Sequence, residues 1–211
     1  MRVNEMFESV QGEGRYIGTM AYFIRLQGCS LRCSWCDTKY TWDNSGGKEY
    51  SISEMVEQCK PYNHVVVTGG EPLIHEDLHS LLNELMGKGI EIETNGLIYR
   101  SDVQQSGVHF NISPKLDFMN DAYKKSLTNW NQYCNNRDFK FVVSDSADFE
   151  RVYNLVDELK LENVILMPEG VEKEKIIDGT RWLVEEVKKR NLDWRVIPRL
   201  HIILYGNKRG I

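Results

Sequence analysis

The chain has 211 residues, of which 41% are hydrophobic and 27% charged, and its formal net charge is −5. This composition is typical of a globular domain with a sizeable core, and it gives no indication of a nucleic-acid or membrane-surface partner. The longest apolar runs are too short to cross a bilayer, and the start of the chain lacks a signal-peptide core, so we expect one domain over residues 1–211, located in the cytoplasm.

Runs rich in β-branched and aromatic residues alternate with longer amphipathic runs. In chain order, the predicted strands are AYFIRLQ (21–27), HVVVTG (64–69), GIEIETNG (89–96), VHFNISP (108–114), DFKFVVS (138–144), NVILMPE (163–169) and LDWRVIP (192–198). A helix is predicted within residues 75–89, with an apolar stripe of Leu78, Leu81, Leu82, Leu85 and Met86. Another is predicted within 144–160, capped by Asp145 or Ser146, with a stripe of Phe149, Val152, Tyr153, Val156 and Leu159. A third, within 180–190, presents Trp182, Leu183 and Val187.

Strands that alternate with helices predict βα units and a mainly parallel sheet. About six to seven strands are too few for a closed eight-stranded barrel, so we expect an α/β fold with a partial, open TIM-like (β/α) barrel. Four motifs follow predicted strands: the cysteine loop, TGGEP (68–72), ETNG (93–96) and SPK (113–115). Because sites in such sheets gather at the carboxyl ends of the strands, the four motifs are expected to share one site.

The stretch GCSLRCSWCDT, residues 28–38, contains three of the five cysteines: Cys29, Cys33 and Cys36. Three thiolates in a compact loop suit a soft iron–sulfur cluster in which one iron lacks a protein ligand. The alternative is a zinc site completed by a distant His or Cys. Cys59 and Cys134 stand alone and are expected to be small buried apolar residues.

The spacing Cys29-x3-Cys33-x2-Cys36, with Trp35 before the last cysteine, resembles the signature of the radical S-adenosylmethionine (SAM) enzymes. The resemblance implies a radical SAM core, with a [4Fe-4S] cluster on the three thiolates and SAM chelating the open iron. TGGEP is similar to the family's GGE motif. The SAM contacts that the resemblance implies are Trp35, Asp37, Gly70, Glu71, Ser113, Pro114, Lys115 and Met167, although each of these motifs alone could be a turn or loop.

A narrower resemblance is carried by FESVQGEGRYIGTMAYFIRLQGCSLRCSWCDTKYTW (7–42) and by the tail RLHIILYGNKRGI (199–211). These segments resemble the 7-carboxy-7-deazaguanine synthases of queuosine and other 7-deazapurine biosynthesis. The family implies radical-mediated ring contraction of 6-carboxy-5,6,7,8-tetrahydropterin to 7-carboxy-7-deazaguanine, with loss of ammonia. SAM would be regenerated, Mg²⁺ would assist, and no catalytic side chain beyond the cluster and cofactor is implied.

Carried onto the matching positions, the resemblance implies substrate contacts by Val10, Gln11, Gly12, Arg25 and Thr68. The Arg25 guanidinium, four residues before Cys29, suits bidentate capture of a carboxylate, whereas a solvent-facing strand arginine is the alternative. Thr38 is implied to bind Mg²⁺ through its hydroxyl group. His201 and the tail are expected to close over the site, with an exposed polar tail as the alternative.

The family resemblance also implies a homodimer and a flavodoxin-like electron donor, with the pterin as small-molecule substrate. Two rival functions stay open: a radical SAM activase that generates a glycyl radical on a partner enzyme, and a zinc- or cluster-bearing binding module. Arg25, Thr38 and the SVQGEG segment (9–14) favour the pterin enzyme over the activase.

Overall fold

A computed structural model describes residues 1–43 and 45–211. Within these residues one open sheet contains nine strands, in chain order β1 (Arg2–Val10), β2 (Met20–Leu26), β3 (Lys48–Glu49), β4 (His64–Gly69), β5 (Gly89–Thr94), β6 (Val108–Ile112), β7 (Arg137–Val143), β8 (Val164–Pro168) and β9 (Arg195–Val196). Their order across the sheet is β3-β1-β2-β4-β5-β6-β7-β8-β9. All neighbours from β2 to β9 are parallel, whereas β1 pairs antiparallel with β2 and β3.

The open, mainly parallel α/β fold predicted from the sequence is confirmed. The parallel part contains the predicted strands, although LDWRVIP contributes only the two residues of β9. The antiparallel strands β1 and β3 were not predicted. In β1 most side chains are only half-buried, so its sequence lacks the continuous apolar run of the central strands.

In the described residues six α-helices accompany the sheet: α1 (Ile52–Cys59), α2 (Leu78–Glu84), α3 (Asp121–Tyr133), α4 (Ser146–Leu159), α5 (Lys173–Lys189) and α6 (Leu200–Tyr205). Asp145 is the N-cap of α4, as predicted, and accepts a hydrogen bond from the Asp148 N–H (2.9 Å). The prediction for Met86 was wrong: its side chain is 64% exposed. Helix α2 ends at Glu84 and the chain turns away through Gly87, whose φ is +95°. None of the described helices is both long and apolar enough to pass through a membrane.

The two faces of the sheet differ in chemistry because successive strand side chains point in opposite directions. One face is apolar and packs against the helices in a single core, to which α2, α3, α4 and α5 contribute Leu81, Trp130, Phe149 and Leu183. The other face carries buried polar side chains: Thr68, Glu91, His109, Asn111, Asp138 and Lys140. The helices therefore cover the apolar face of the sheet, and the polar side chains of the inner face are available to form a binding site.

The loop after β1 covers the amino end of this inner face. Arg15 donates two hydrogen bonds to the Asp138 carboxylate (2.8 and 3.0 Å). The Tyr16 ring lies against His64 and His109, with centroid separations of 4.7 and 5.3 Å. These contacts cover the amino end of the inner face with the loop after β1.

Candidate active site

A cavity of about 460 Å³ opens at the carboxyl ends of the parallel strands. Its volume is within the usual range for small-molecule sites. It is lined by all the predicted site residues except Glu71 and Pro114: Val10, Gln11, Gly12, Arg25, Cys29, Cys33, Trp35, Cys36, Asp37, Thr38, Thr68, Gly70, Ser113, Lys115 and Met167. His201 and residues 207–211 of the tail also line it, while residues 204–211 are exposed to solvent.

The three clustered cysteines are free thiols on the wall of the cavity. In residues 1–43 and 45–211, no three His, Cys, Asp or Glu side chains are grouped closely enough to hold one metal ion. A cluster needs a wider arrangement than a single ion, because each thiolate binds a different iron atom. The donor set of Cys29, Cys33 and Cys36 fits a [4Fe-4S] cluster in which each thiolate binds one iron and the fourth iron has no protein ligand.

Hydrogen bonds fix both ends of the cysteine loop. The side-chain amide of Gln27, which directly follows β2, donates to the carbonyl oxygens of Tyr40 (3.0 Å) and Asp43 (2.5 Å). The Gly28 N–H donates to the Thr41 carbonyl oxygen (2.7 Å). The loop is thus held in shape by the protein itself.

The TGGEP segment packs against the cysteine loop from the neighbouring strand. The Glu71 N–H donates to the Gly28 carbonyl oxygen (2.8 Å). A Cβ atom added at Gly70 would lie 2.1 Å from the same carbonyl oxygen and 2.8 Å from Cys29 Cβ. Only glycine permits this approach, which explains why glycine is needed where the two motifs meet.

Burial raises the pKa of the Cys29 and Cys33 thiols. Both groups therefore carry protons at neutral pH when no metal is bound. Iron must displace these protons, since the thiolate is the ligand form of cysteine.

Glu71 and Pro114 do not line the cavity. The Glu71 side chain is fully buried, and its carboxylate accepts hydrogen bonds from the Leu73 N–H (3.0 Å), the Thr94 hydroxyl (2.7 Å) and the Asn95 N–H (2.8 Å). Pro114 lines a separate small pocket. The direct SAM contacts predicted for these two side chains are therefore not supported by their positions. The Glu71 carboxylate instead ties TGGEP to ETNG, because its three donors compensate for its burial.

Arg25 and Thr38 face the same cavity as the cysteines. The Arg25 Nε donates to the Glu5 carboxylate (2.8 Å), and the guanidinium lies 5.7 Å from the centroid of the Phe7 ring. The Thr38 hydroxyl is half-buried and lies 3.5 Å from Cys36 Sγ. A hydroxyl oxygen open to the cavity fits a Mg²⁺ ion that keeps several waters and takes other ligands from substrate.

Several side chains predicted to contact SAM line the cavity close to Trp35 of the cysteine loop. Lys115 Nζ donates to the Ser113 hydroxyl (2.9 Å) and lies 5.0 Å from the centroid of the Trp35 ring. Burial lowers the pKa of Lys115. Met167 supplies an apolar surface beside these groups, since it is buried and lines the cavity.

A largely buried ion-pair network that lines the cavity was missed by the sequence analysis. The Glu13 carboxylate pairs with Lys140 and with Arg199, whose Nε lies 3.1 Å from Glu13 Oε1. Arg199 also pairs with Asp37 at the end of the cysteine loop. Burial raises the pKa of Glu13, but the positive charges of Lys140, Arg199 and His201 outweigh it, so that the net pKa is lowered. The network joins the loop after β1, strand β7 and the tail around the cavity.

Glu93 belongs to the predicted ETNG motif but was given no role of its own, and it connects two predicted substrate contacts. Its carboxylate accepts from the Thr68 hydroxyl (2.7 Å) and from the Gln11 side-chain amide (3.1 Å). The sequence contained a signal for such residues: Glu91 and Glu93 alternate with isoleucine in β5, and Lys140 interrupts an apolar strand. Alternation of this kind indicates a strand with one polar face.

Tyr123 on α3 supports the cavity from behind. Its hydroxyl donates to the Asn95 carbonyl oxygen and accepts from the Lys115 N–H (3.0 Å), so it holds the ETNG and SPK segments together. No sequence pattern indicates this role, because a tyrosine on an amphipathic helix is ordinarily a core residue.

Replacement of Tyr123 by phenylalanine is expected to lower the free energy of unfolding by about 1–3 kcal/mol, because two buried hydrogen bonds are lost. The KM for SAM should rise more than the KM for the second substrate, since Lys115 loses its backbone support. Urea denaturation and steady-state kinetics measure these effects. Tyr133→Phe, on the same helix but 57% exposed, is the control and should change neither. Equal effects of the two variants would contradict the prediction.

Comparison with known proteins places these motifs in a family. The model of the radical SAM superfamily matches residues 23–127. A 7-carboxy-7-deazaguanine synthase of Pyrobaculum aerophilum is 38% identical over 219 aligned residues, covering 100% of this chain and 97% of the relative. The chain belongs to the 7-carboxy-7-deazaguanine synthase family. The Escherichia coli 7-carboxy-7-deazaguanine synthase is 32% identical, with 94% of this chain and 96% of that protein covered.

The fold agrees with this family membership. The crystal structure of QueE from Escherichia coli superimposes with a TM-score of 0.68 at 29% identity, covering 93% of each chain. The resemblance predicted from the sequence is confirmed. As a radical SAM enzyme of this synthase family, the chain uses a [4Fe-4S] cluster, SAM and Mg²⁺, as predicted. The glycyl-radical activase is not favoured, because the full-length relatives are synthases.

Proposed function

We propose that the cavity of this 7-carboxy-7-deazaguanine synthase converts 6-carboxy-5,6,7,8-tetrahydropterin to 7-carboxy-7-deazaguanine, with contraction of the pyrazine ring and loss of ammonia. One observation carries the proposal: three free cysteine thiols and the Arg25 guanidinium line the same cavity. Cys29, Cys33 and Cys36 would hold the cluster, and the reduced cluster with SAM would supply the radical chemistry that removes hydrogen from C6 of the substrate.

The substrate is held on the side of the cavity near β1 and β2. Arg25 binds the substrate carboxylate, because its guanidinium faces the cavity and matches a carboxylate in charge and shape. Thr38 contributes one oxygen ligand to Mg²⁺. Val10, Gln11 and Gly12 bind the pterin ring together with Thr68, and Glu93 fixes both the Gln11 amide and the Thr68 hydroxyl.

SAM is held by the cysteine loop and by the segments that follow β4, β6 and β8. Gly70 lets the backbone approach SAM closely, and Trp35, Asp37, Ser113, Lys115 and Met167 line its binding surface. Glu71 acts as a positioning residue, because its carboxylate ties TGGEP to Thr94 and Asn95. His201 lies over Gly12, where an added Cβ atom would be 2.0 Å from His201 Nδ1, and with the tail it excludes water from the reaction.

Several broader properties belong to the same proposal. We propose that residues 1–211 form one radical SAM domain, supported by the single sheet that runs through them. A homodimer follows from the family resemblance, a flavodoxin-like electron donor follows from the radical chemistry, and we propose a cytoplasmic location. The five free thiols fit a reducing compartment.

The function is tested by anaerobic reconstitution with iron and sulfide, followed by reaction with dithionite, SAM, Mg²⁺ and 6-carboxytetrahydropterin. Mass spectrometry should detect 7-carboxy-7-deazaguanine. Arg25→Ala should raise the KM for the pterin by about 10- to 150-fold, because a charged hydrogen-bonded contact of about 1.5–3 kcal/mol is removed.

The matched control is Arg151→Ala, which removes an exposed arginine paired with Asp117 outside the cavity. This variant should behave like the wild type. Formation of 5′-deoxyadenosine without the deazapurine, from a protein with an intact cluster, would reject the pterin as substrate.

A further inference from the structure

The Glu5 carboxylate connects three parts of the active-site wall. Its Oε1 accepts from Arg25 Nε (2.8 Å) and from the Tyr40 hydroxyl (3.1 Å), and its Oε2 accepts from Arg209 Nε (2.8 Å). The Arg209 guanidinium also lies 3.9 Å from the centroid of the Tyr40 ring. One side chain on β1 thus joins β2, the cysteine loop and the tail.

A β-bulge places Glu5 opposite Arg25. Val3 pairs with Leu26 and Glu5 pairs with Arg25, so Asn4 is an extra residue in β1. Bulges of this kind redirect side chains. The extra residue, Asn4, also contributes hydrogen bonds: its side chain donates to Gln27 (2.6 Å) and accepts from Arg209.

The contact with Glu5 uses only one edge of the Arg25 guanidinium. Across the described ranges 1–43 and 45–211, the Nε–Glu5 bond is the one hydrogen bond that Arg25 makes with its side chain. Arg25 lines the cavity and Glu5 does not. The two Nη groups are therefore available, and a bidentate contact with a carboxylate needs two parallel N–H donors.

We propose that Glu5 is a positioning residue that orients Arg25 for the substrate carboxylate, and that Tyr40 and Arg209 fix Glu5 in turn. The proposal rests on the carboxylate-binding role of Arg25 given above. Charge balance supports it: Glu5 and a bound carboxylate together neutralise Arg25 and Arg209. Without Glu5 the guanidinium keeps its charge but loses its orientation.

The experiment uses the reconstituted enzyme with SAM and Mg²⁺ under anaerobic conditions. The probes are 6-carboxypterin, the unreactive oxidised acid, and pterin, which lacks the carboxylate. Equilibrium dialysis gives the two Kd values. The Kd of pterin divided by the Kd of 6-carboxypterin measures how strongly the carboxylate is recognised. Glu5→Gln and Glu5→Ala should each lower this ratio about tenfold by weakening the acid alone, since one charged hydrogen bond that orients Arg25 is lost. In turnover the KM for the tetrahydropterin acid should rise more than kcat falls.

Glu8→Gln is the matched control. Glu8 lies on the same strand and accepts a hydrogen bond from the Tyr62 hydroxyl (2.7 Å), away from the cavity. It should leave the ratio unchanged. Glu5→Gln keeps the size of the side chain, so it provides the test if Glu5→Ala does not fold.

Tighter binding of the acid by Glu5→Gln would overturn the proposal, because it would show that Glu5 competes with the substrate for Arg25. An unchanged ratio in the Glu5 variants would also overturn it. Arg25→Ala in the same assay distinguishes a failure of the proposed function from a failure of the proposed role of Glu5. If Arg25→Ala removes the preference for the acid and the Glu5 variants do not, the function stands and the role of Glu5 fails. If the wild type binds 6-carboxypterin no more tightly than pterin, both the carboxylate-binding role of Arg25 and the positioning role of Glu5 fail.

Discussion

Cys33→Ala is expected to abolish deazapurine formation, with turnover falling to the level of a reaction without enzyme. Cys33 is one of three thiols on the cavity wall, and a cluster with two remaining protein ligands is not held in place. The chain should still fold, because the cysteine loop is fixed by Gln27 and by TGGEP rather than by the cluster. Iron and sulfide analysis after reconstitution, with the visible absorption of the cluster, measures the loss.

The chain contains its own controls for this experiment. Cys59 and Cys134 are buried free thiols that do not line the cavity. Cys59→Ala and Cys134→Ala should keep a full complement of iron and lose only a modest part of the unfolding free energy, about 1 kcal/mol for a small side-chain truncation. A Cys33→Ala protein that retained its cluster and made product would refute the assignment of the ligands.

Glu13→Gln is expected to lower the free energy of unfolding by about 3–5 kcal/mol, because it removes the partner of a buried charge. Lys140 and Arg199, whose side chains are 8% and 12% exposed, would both lose their main negative neighbour. Activity should fall with stability, since the network lines the cavity. Urea denaturation at neutral pH measures the change.

The control is Glu158→Gln on the surface of α4, where the Lys124–Glu158 pair is 32% and 52% exposed. Its effect should stay within about 0.5 kcal/mol. An equal loss of unfolding free energy in Glu13→Gln and Glu158→Gln would mean that the buried network stabilises the fold no more than a surface ion pair does.

The pH dependence of the Glu13 effect has a defined sign. The pKa of Glu13 in the folded protein is lowered, so its stabilising contribution is fully present above the unfolded pKa of about 4.3 and is lost as the pH falls through the folded pKa. The difference between wild type and Glu13→Gln should therefore be constant near neutral pH and shrink in acid. A difference that grew as the pH fell would contradict this assignment.

The sequence predicted the parallel strands well because both faces of the central strands are buried, which favours continuous β-branched and aromatic runs, and because glycine or proline occurs in the motifs that follow them. The cysteine loop, TGGEP and SPK could be placed at one edge from the general behaviour of parallel sheets. Strand β1 could not be predicted, because its mixture of polar and half-buried residues depends on pairing with β2.

The site was harder to predict wherever a role depends on contacts distant in sequence. Glu71 looked like a ligand contact because it follows two glycines, yet its carboxylate is occupied by Thr94 and Asn95. Lys140 was visible as a polar residue in an apolar strand, but its partner Glu13 lies 127 residues earlier. No local pattern indicates such a pairing.

The ion-pair network also sets an order of events during synthesis. Glu13 leaves the ribosome 186 residues before its partner Arg199, an interval of roughly 10–40 s at 5–20 residues per second. The cysteine loop needs only Gln27 and Gly28, which lie nearby, and TGGEP, which is made soon afterwards. A nascent chain therefore carries Cys29, Cys33 and Cys36 before the tail that lines the same cavity has been made, and we expect these thiols to be more accessible to iron–sulfur delivery and to oxidants during this interval.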